Sequence, residues 1–284
     1  MNPEVLIIGC GFLGEAAAEL FSAQGRNVLG LVRNPQSLET LVGKSFESAS
    51  CDVTDPESVE RFAPRLKGVP LAIYSVSSGR GGAESYASVF RDGFHRVLSH
   101  WMPRRILFVS STSVYAQSDG SWVTENSPTI PDRETGMILL EAERICMNHG
   151  GIVARLSGLY GPGRSVLLRK FLAGESVLED GGARWINQIH RDDAASALAR
   201  LGDPFMPSGL YNVTDNSPTT QKEVYGWMSE FFHRPLPPEG PADLHRKRGW
   251  TSKRVSNNKL CQTGWTPSFP SFRDALPLLT PPLA

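Results

Sequence analysis

Along the first half of the chain, short and wholly apolar runs alternate with segments that repeat apolar residues at helical spacing. EVLIIGC (4–10) reads as a strand, and GFLGEAAAELFSAQG (11–25) as a helix that stops at Gly25. NVLGLVR (27–33) is a second strand, NPQSLETLVG (34–43) is helical, and FESASCDVTD (46–55) holds a short third strand ending near Asp52. PESVERFAPRLKG (56–68) is a helix with Pro56 at its start, where the missing N–H has no partner to lose. PLAIYSVS (70–77) is a fourth strand, AESYASVFRDGFHRVLSHW (83–101) one long helix, and RRILFVSS (104–111) a fifth strand. Strands that are apolar throughout are buried on both faces. The pattern therefore predicts an α/β fold with a parallel sheet covered by helices on both sides.

After Gly120 the pattern loosens. ENSPTIPDRETG (125–136) is rich in turn formers, MILLEAERICMNHG (137–150) is a helix, and GIVARLSGLYG (151–161) is a sixth strand. HRDDAASALARLG (190–202) is a helix with aspartates at its positive end, and GLYNVTD (209–215) a short strand. From about Ser217 proline becomes frequent, which predicts a smaller and less regular part.

Composition narrows the function classes. Lys plus Arg and Asp plus Glu both number 29, so no global charge draws the chain to nucleic acid or an anionic membrane. The 4 cysteines, Cys10, Cys51, Cys146 and Cys261, show no CxxC pairing, so neither a metal site nor a disulfide framework is indicated, and a cytoplasmic setting is expected. The N-terminal run lacks a basic leader and carries Glu4 and Glu15, and no apolar run approaches the roughly 18 residues of a membrane span.

The sharpest chemical signal is GCGFLG, in which Gly9, Gly11 and Gly14 fit GxGxxG between an expected strand and an expected helix. The first glycine allows the tight turn, the second lets a pyrophosphate approach the backbone, and the third lets helix and strand pack closely. Phe12 and Leu13 open the helix between them. A dinucleotide-binding Asp or Glu is expected about 20 residues further on. Val32, Arg33 and Asn34 stand there instead. A guanidinium can pair with a 2′-phosphate that a carboxylate would repel, so NADP is expected over NAD. The alternative for Arg33 is an ordinary solvated strand-end arginine. Asp52 and Val53 end the third strand where an adenine would be held, although Asp52 could equally cap the next helix. Ser75 and Val76, ending the fourth strand, complete the expected cofactor set.

IIGCGFLG, CDVTD, FVSSTSVY, ARLSGLYGPGR, INQIHRDDAASAL and NNKLCQTGWTP occur in this order. With them the chain resembles the extended short-chain dehydrogenase/reductases, the NAD-dependent epimerase/dehydratase family, over nearly its whole length. The resemblance implies a Rossmann-type doubly wound parallel sheet with a small C-terminal α/β substrate domain. Residues 1–160, joined again by 185–215, would form the dinucleotide-binding domain, and 161–184 with 216–284 the substrate domain. It implies an NAD(P)-binding oxidoreductase or epimerase-like protein acting on a carbonyl or sugar-type substrate, with a homodimer as one assembly open to it. Ser111 falls on the catalytic serine position.

The family's acid/base pair is a tyrosine and a lysine four residues later on one helix face. No lysine occurs between Lys67 and Lys170. Ending the helix at Glu143-Arg144-Ile145 puts Thr135 and Leu139 at the pair's positions, and sliding by two residues gives Arg133 and Met137. By this criterion the chain looks like an atypical member, and a catalytically inactive dinucleotide sensor or regulatory protein is the alternative function. Tyr115 and Tyr160 are either substitute acids or packed aromatics with satisfied hydroxyls. His190 and Asp193 read as helix-entry residues rather than metal ligands, with Asp192 or Asp193 as the cap. SSGRGGAESY (77–86) is a glycine-rich loop that could act as a lid. HRKRGWTSKRV (245–255) is a basic run: a solvated face, a site for an anionic substrate group, or an interface.

Overall fold

The computed structural model describes residues 2–79, 81–243 and 250–279. Strand β1 (Val5–Ile8) runs into helix α1 (Phe12–Ala23), which ends before Gly25 at φ +79°. Strand β2 (Val28–Val32) leads to a one-turn helix α2 (Pro35–Leu38), whose Asn34 side chain accepts the Ser37 N–H at 3.0 Å. Strand β3 (Glu47–Ser50) ends one residue before Cys51, and helix α3 (Pro56–Leu66) follows. The cap of α3 is Asp55, accepting from Glu57 N, so Asp52 is free for other work. Strand β4 (Leu71–Tyr74) and strand β5 (Ile106–Ser111) flank the long helical stretch 83–101.

That stretch is not one uniform helix. Helix α4 (Ala83–Tyr86) and helix α5 (Phe94–Trp101) are joined by a widened π turn, Ala87–Gly93. Within it the Val89 carbonyl accepts the buried Tyr74 hydroxyl at 2.6 Å. At Gly93 a Cβ would press against Val53 at 3.1 Å. Hydrophobic periodicity has nearly the same phase in α- and π-helix over a few residues, which is why the sequence showed no break.

The remaining elements are strand β6 (Trp122–Val123), helix α6 (Glu134–Asn148), strands β7 (Ile152–Leu156) and β8 (Gly158–Tyr160), helix α7 (Val166–Leu172), strands β9 (Leu178–Glu179), β10 (Trp185–Ile186) and β11 (Gln188–His190), and helix α8 (Arg191–Leu201). Strands β12 (Gly209–Val213) and β13 (Thr219–Thr220), helix α9 (Gln221–Phe232), strands β14 (Glu239–Gly240) and β15 (Arg254–Val255), and helices α10 (Asn258–Cys261) and α11 (Phe272–Ala275) close the chain.

The main sheet has 7 strands in the order β12-β7-β5-β4-β1-β2-β3, and the β4/β5, β4/β1, β1/β2 and β2/β3 pairs are parallel. This is a Rossmann-type doubly wound α/β sheet, whose strand order reverses between β1 and β4. The chain forms two compact units: 1–111, 134–155 and 195–211 in one, 112–133, 156–194 and 212–284 in the other. The first is centred on Tyr74, Phe94 and Phe108, with ring centroids 4.8 Å (Tyr74–Phe94) and 4.9 Å (Phe94–Phe108) apart. The second has its own core of Tyr160, Phe171, Val224, Met228 and Phe272. No helix among the described residues is long and apolar enough to cross a membrane.

Candidate functional site

The end of β1 and the start of α1 build a cradle at the point where the strand order reverses. Gly9 sits at φ +89°, and a Cβ there would lie 2.5 Å from the Ser75 carbonyl oxygen. Ser75 N donates to Ile8 O at 2.7 Å, which fixes this close approach of the two strand ends, with Val76 next to it. At Gly14 a Cβ would overlap the Gly9 carbonyl oxygen. Backbone geometry and packing therefore demand glycine at 9 and 14.

Gly11 is different. Its φ is −95°, open to any residue, and no atom of the described residues lies within 4 Å of where its Cβ would be. It occupies the N-cap of α1 and, being glycine, makes no side-chain cap bond there. Phe12 and Leu13 form the first turn behind it. A helix N-terminus whose N-cap residue has no side chain to block the approach suits an anion such as a pyrophosphate, so the residues present fit a dinucleotide.

The ends of β2 and β3 meet beside this cradle. Arg33 Nε bonds Asp52 Oδ2 at 3.0 Å, with the Arg33 side chain 71% exposed. Asp52 Oδ1 accepts from Thr54 N at 2.9 Å and Thr54 Oγ1 at 2.7 Å. Burial pushes the Asp52 carboxyl up, but the bonds from Thr54 and Arg33 together outweigh it, and its pKa lies below the usual aspartate value. Val53 is buried and its carbonyl accepts Arg96 Nη1 at 2.6 Å.

Ser111 ends β5 and is buried, as is Ser110 beside it. Ser110 Oγ donates to Glu143 Oε1 at 2.6 Å. Glu143 in turn holds Arg155 through Nε at 3.0 Å and Nη2 at 2.5 Å, with both charged side chains only 4% exposed. This ion pair ties β5, α6 and β7 together, and the sequence reading missed it. A signal was present, since Arg155 interrupts the otherwise apolar run IVARL and an arginine inside a buried strand requires a partner. On α6, Thr135 is half-buried, Leu139 is buried, Arg133 precedes the helix exposed, and Met137 is 52% exposed.

In the second unit Tyr115 is buried and its hydroxyl donates to Asn212 Oδ1 at 2.9 Å, the arrangement of a packed aromatic. Tyr160 is also buried, but its hydroxyl has no hydrogen-bond partner among the described residues, and burial raises its pKa far above the ordinary tyrosine value. His190 Nδ1 accepts from Asp192 N at 3.3 Å, and burial holds its pKa below the usual histidine value. Asp193, near the start of α8, reaches further than its own helix. It accepts the Ser268 and Phe269 N–H groups at 2.7 and 2.9 Å and anchors the C-terminal segment. Of the basic run, Arg246, Lys247 and Arg248 lie outside the described residues, as does Arg80 of the glycine-rich loop; Lys253 is buried rather than solvated.

Comparison with known proteins agrees with this geometry. The model of the NAD dependent epimerase/dehydratase family matches residues 5–213. A putative NAD-dependent epimerase/dehydratase from Methylobacillus flagellatus is 28% identical, with a TM-score of 0.79 over 98% of each chain. A conserved protein of unknown function from Silicibacter pomeroyi is 26% identical, with a TM-score of 0.76 over 97% of each chain. The UDP-glucose 4-epimerase of Thermus thermophilus, solved with NAD, is 20% identical at a TM-score of 0.80 over 97% of each chain, a likeness of fold. No curated protein matches the chain in sequence.

Proposed function

The chain belongs to the NAD-dependent epimerase/dehydratase family, and from that premise we propose that it is a dinucleotide-dependent enzyme of oxidoreductase or epimerase type. It prefers NADP to NAD and acts on a carbonyl or sugar-type substrate that carries an anionic group. The observation that carries this reading is the open Gly11 at the N-cap of α1, between two glycines that the backbone itself requires. A bound nicotinamide would supply hydride transfer. The chain's own residues do the rest. Gly11 admits the pyrophosphate, the α1 amides hold it, and Ser111 orients the substrate oxygen.

Arg33 supports the NADP preference. Asp52 binds only its Nε and fixes the direction of the guanidinium; among the described residues the terminal nitrogens make no hydrogen bond. Those nitrogens suit a 2′-phosphate. Arg33→Asp would place a second carboxylate beside Asp52. Its expected effect is a loss of NADP affinity of about tenfold or more, with NAD changed far less. Calorimetric titration of both cofactors checks this, and equal weakening of the two removes Arg33 from the 2′-phosphate site.

The reaction itself is tested by offering carbonyl compounds and nucleotide sugars to the NADPH-saturated protein. Turnover is expected to fall about 10²-fold in Ser111→Ala, the scale of one lost oxyanion donor, with NADPH affinity unchanged. A broad screen without turnover at saturating cofactor defeats the enzymatic reading. It would favour a second one, a dinucleotide sensor, supported by the sequence reading of α6, whose alignments put Thr135 and Leu139, or Arg133 and Met137, at the family's tyrosine and lysine positions, with Leu139 buried. The sensor reading expects different affinities for NADP⁺ and NADPH, and a protein partner that co-purifies.

A further inference from the structure

Residues 268–272 form an arm that is held to the rest of the second unit at two buried carboxylates. From α8, Asp193 accepts Ser268 N through Oδ1 at 2.7 Å and Phe269 N through Oδ2 at 2.9 Å. Just beyond β12, Asn216 N donates to Pro270 O at 3.0 Å, and Asp215 is its neighbour in the chain. The arm also lays the Phe269 ring on His190, with centroids 4.2 Å apart, and the Phe272 ring on Tyr160, at 4.9 Å. Asp193 and Asp215 are each 2% exposed.

The two carboxylates are served unequally. Asp193 accepts backbone N–H groups through both oxygens. Among the described residues Asp215 accepts one bond, from Ser217 N to Oδ1 at 3.1 Å, and no cation lies within ion-pair distance of it. The elements packed here supply none. On α8, Arg191 is paired with Asp192 at 2.8 Å. On the arm and α11, Asp274 accepts from Ser271 N at 2.9 Å, and the exposed Arg273 faces Glu230 at 3.9 Å. Lys259 of α10 is exposed. His190 of β11 and Tyr160 of β8 are buried, and neither His190 Nε2 nor the Tyr160 hydroxyl has a hydrogen-bond partner among the described residues. Burial pushes the Asp215 carboxyl well above the ordinary aspartate value; the Ser217 bond opposes this, and the like charges of Asp193 and Asp274 add to it. Two carboxylates at one dry site ionise together only at high cost, so the one with fewer bonds keeps its proton.

We propose that the arm is a pH-gated clasp, closed over Asp215 as the neutral acid and loosened when that acid ionises beside Asp193. The inference depends neither on the cofactor nor on the reaction. When the arm lifts, water reaches Asp215, whose carboxyl returns to the ordinary aspartate value of about 4 and gives its proton to solvent. Closing takes that proton back. A group whose closed-state pKa is raised contributes its full stability below the open-state value and loses it as pH rises toward the closed-state value. The clasp is therefore tightest in acid. Its closing constant falls by up to about tenfold per pH unit above pH 4, and levels off where the closed form itself ionises.

The measurement is hydrogen exchange at the Ser268 and Phe269 amides of the intact protein from pH 5 to pH 9, corrected for the intrinsic exchange rate at each pH. Protection is expected to fall with rising pH, by about tenfold or more over the range. Asp215→Asn keeps the shape and an oxygen for Ser217 N but has no proton to lose. Its two arm amides should be as well protected at pH 9 as at pH 5. Protection in the parent that stays level or rises with pH overturns the proposal. So does the parent's pH dependence persisting in Asp215→Asn, which would assign the effect to another group. If Asp215→Asn does not fold, the pH profile of the parent decides.

Discussion

Gly11→Val is expected to abolish dinucleotide binding and leave the protein folded. In the free protein a Cβ at 11 meets nothing within 4 Å among the described residues, and its φ of −95° suits an L-residue. The variant should therefore melt within a few degrees of the parent. The same side chain would stand in front of the α1 amides, where a pyrophosphate must come within hydrogen-bond distance of the backbone. Losing that approach should weaken NADP and NAD alike by about 10²-fold or more, some 3 kcal/mol. Gly9→Ala and Gly14→Ala make the contrast. Both side chains run into backbone atoms, and Gly9 also holds φ +89°. Overpacking costs about 1–3 kcal/mol and the left-handed backbone a further 1–2 kcal/mol, so these variants should lose stability before binding can be judged. Thermal melts and titration calorimetry on the three variants separate the roles. Wild-type affinity in Gly11→Val would mean that the pyrophosphate lies elsewhere, and early melting would make Gly11 a packing glycine.

That division of labour was half legible in the sequence. GxGxxG between strand and helix named the three glycines, but only coordinates distinguish a glycine required by φ and packing from one that keeps a space open. The sheet was legible for a simple reason: β1, β2, β4 and β5 are buried on both faces and so carry continuous apolar runs. β3 is an edge strand, reads ESAS, and could be placed only by its neighbours. Side chains whose neighbours are distant in sequence were harder. Lys253 lies in a run of basic residues, and a charge run looks the same whether it is solvated or buried. Asp192 or Asp193 was read as a helix cap because a cap is the local option, whereas Asp193 also accepts from Ser268 and Phe269, 75 and 76 residues away. Glu143 and Arg155 belong to the same class, being 12 residues apart on different elements.

Breaking that pair from one side should produce the largest loss of stability of any single substitution considered. Glu143→Leu leaves the Arg155 guanidinium buried without a counter-charge and removes the acceptor of Ser110 Oγ. Removing one partner of a buried ion pair costs about 3–5 kcal/mol, chiefly because the other charge stays out of water. Arg155→Met should cost a similar amount by stranding the carboxylate. The double replacement should recover most of the loss, because no charge is then left buried, and two apolar side chains of similar volume pack against β5 and β7. Salt should change none of these values much, since the pair is screened from solvent ions. Urea denaturation of the parent, both single variants and the double variant measures the cycle. Single losses below about 1 kcal/mol would mean that water reaches the pair in solution, contrary to its 4% exposure. If the double variant is as unstable as the singles, the pair contributes net stability, and its geometry is good enough to exceed the desolvation of both ions. If stability returns but Ser111-dependent turnover does not, the pair has a second role. Through Ser110 it holds the end of β5 against α6, which a merely packed pair of apolar side chains would not do with the same directionality.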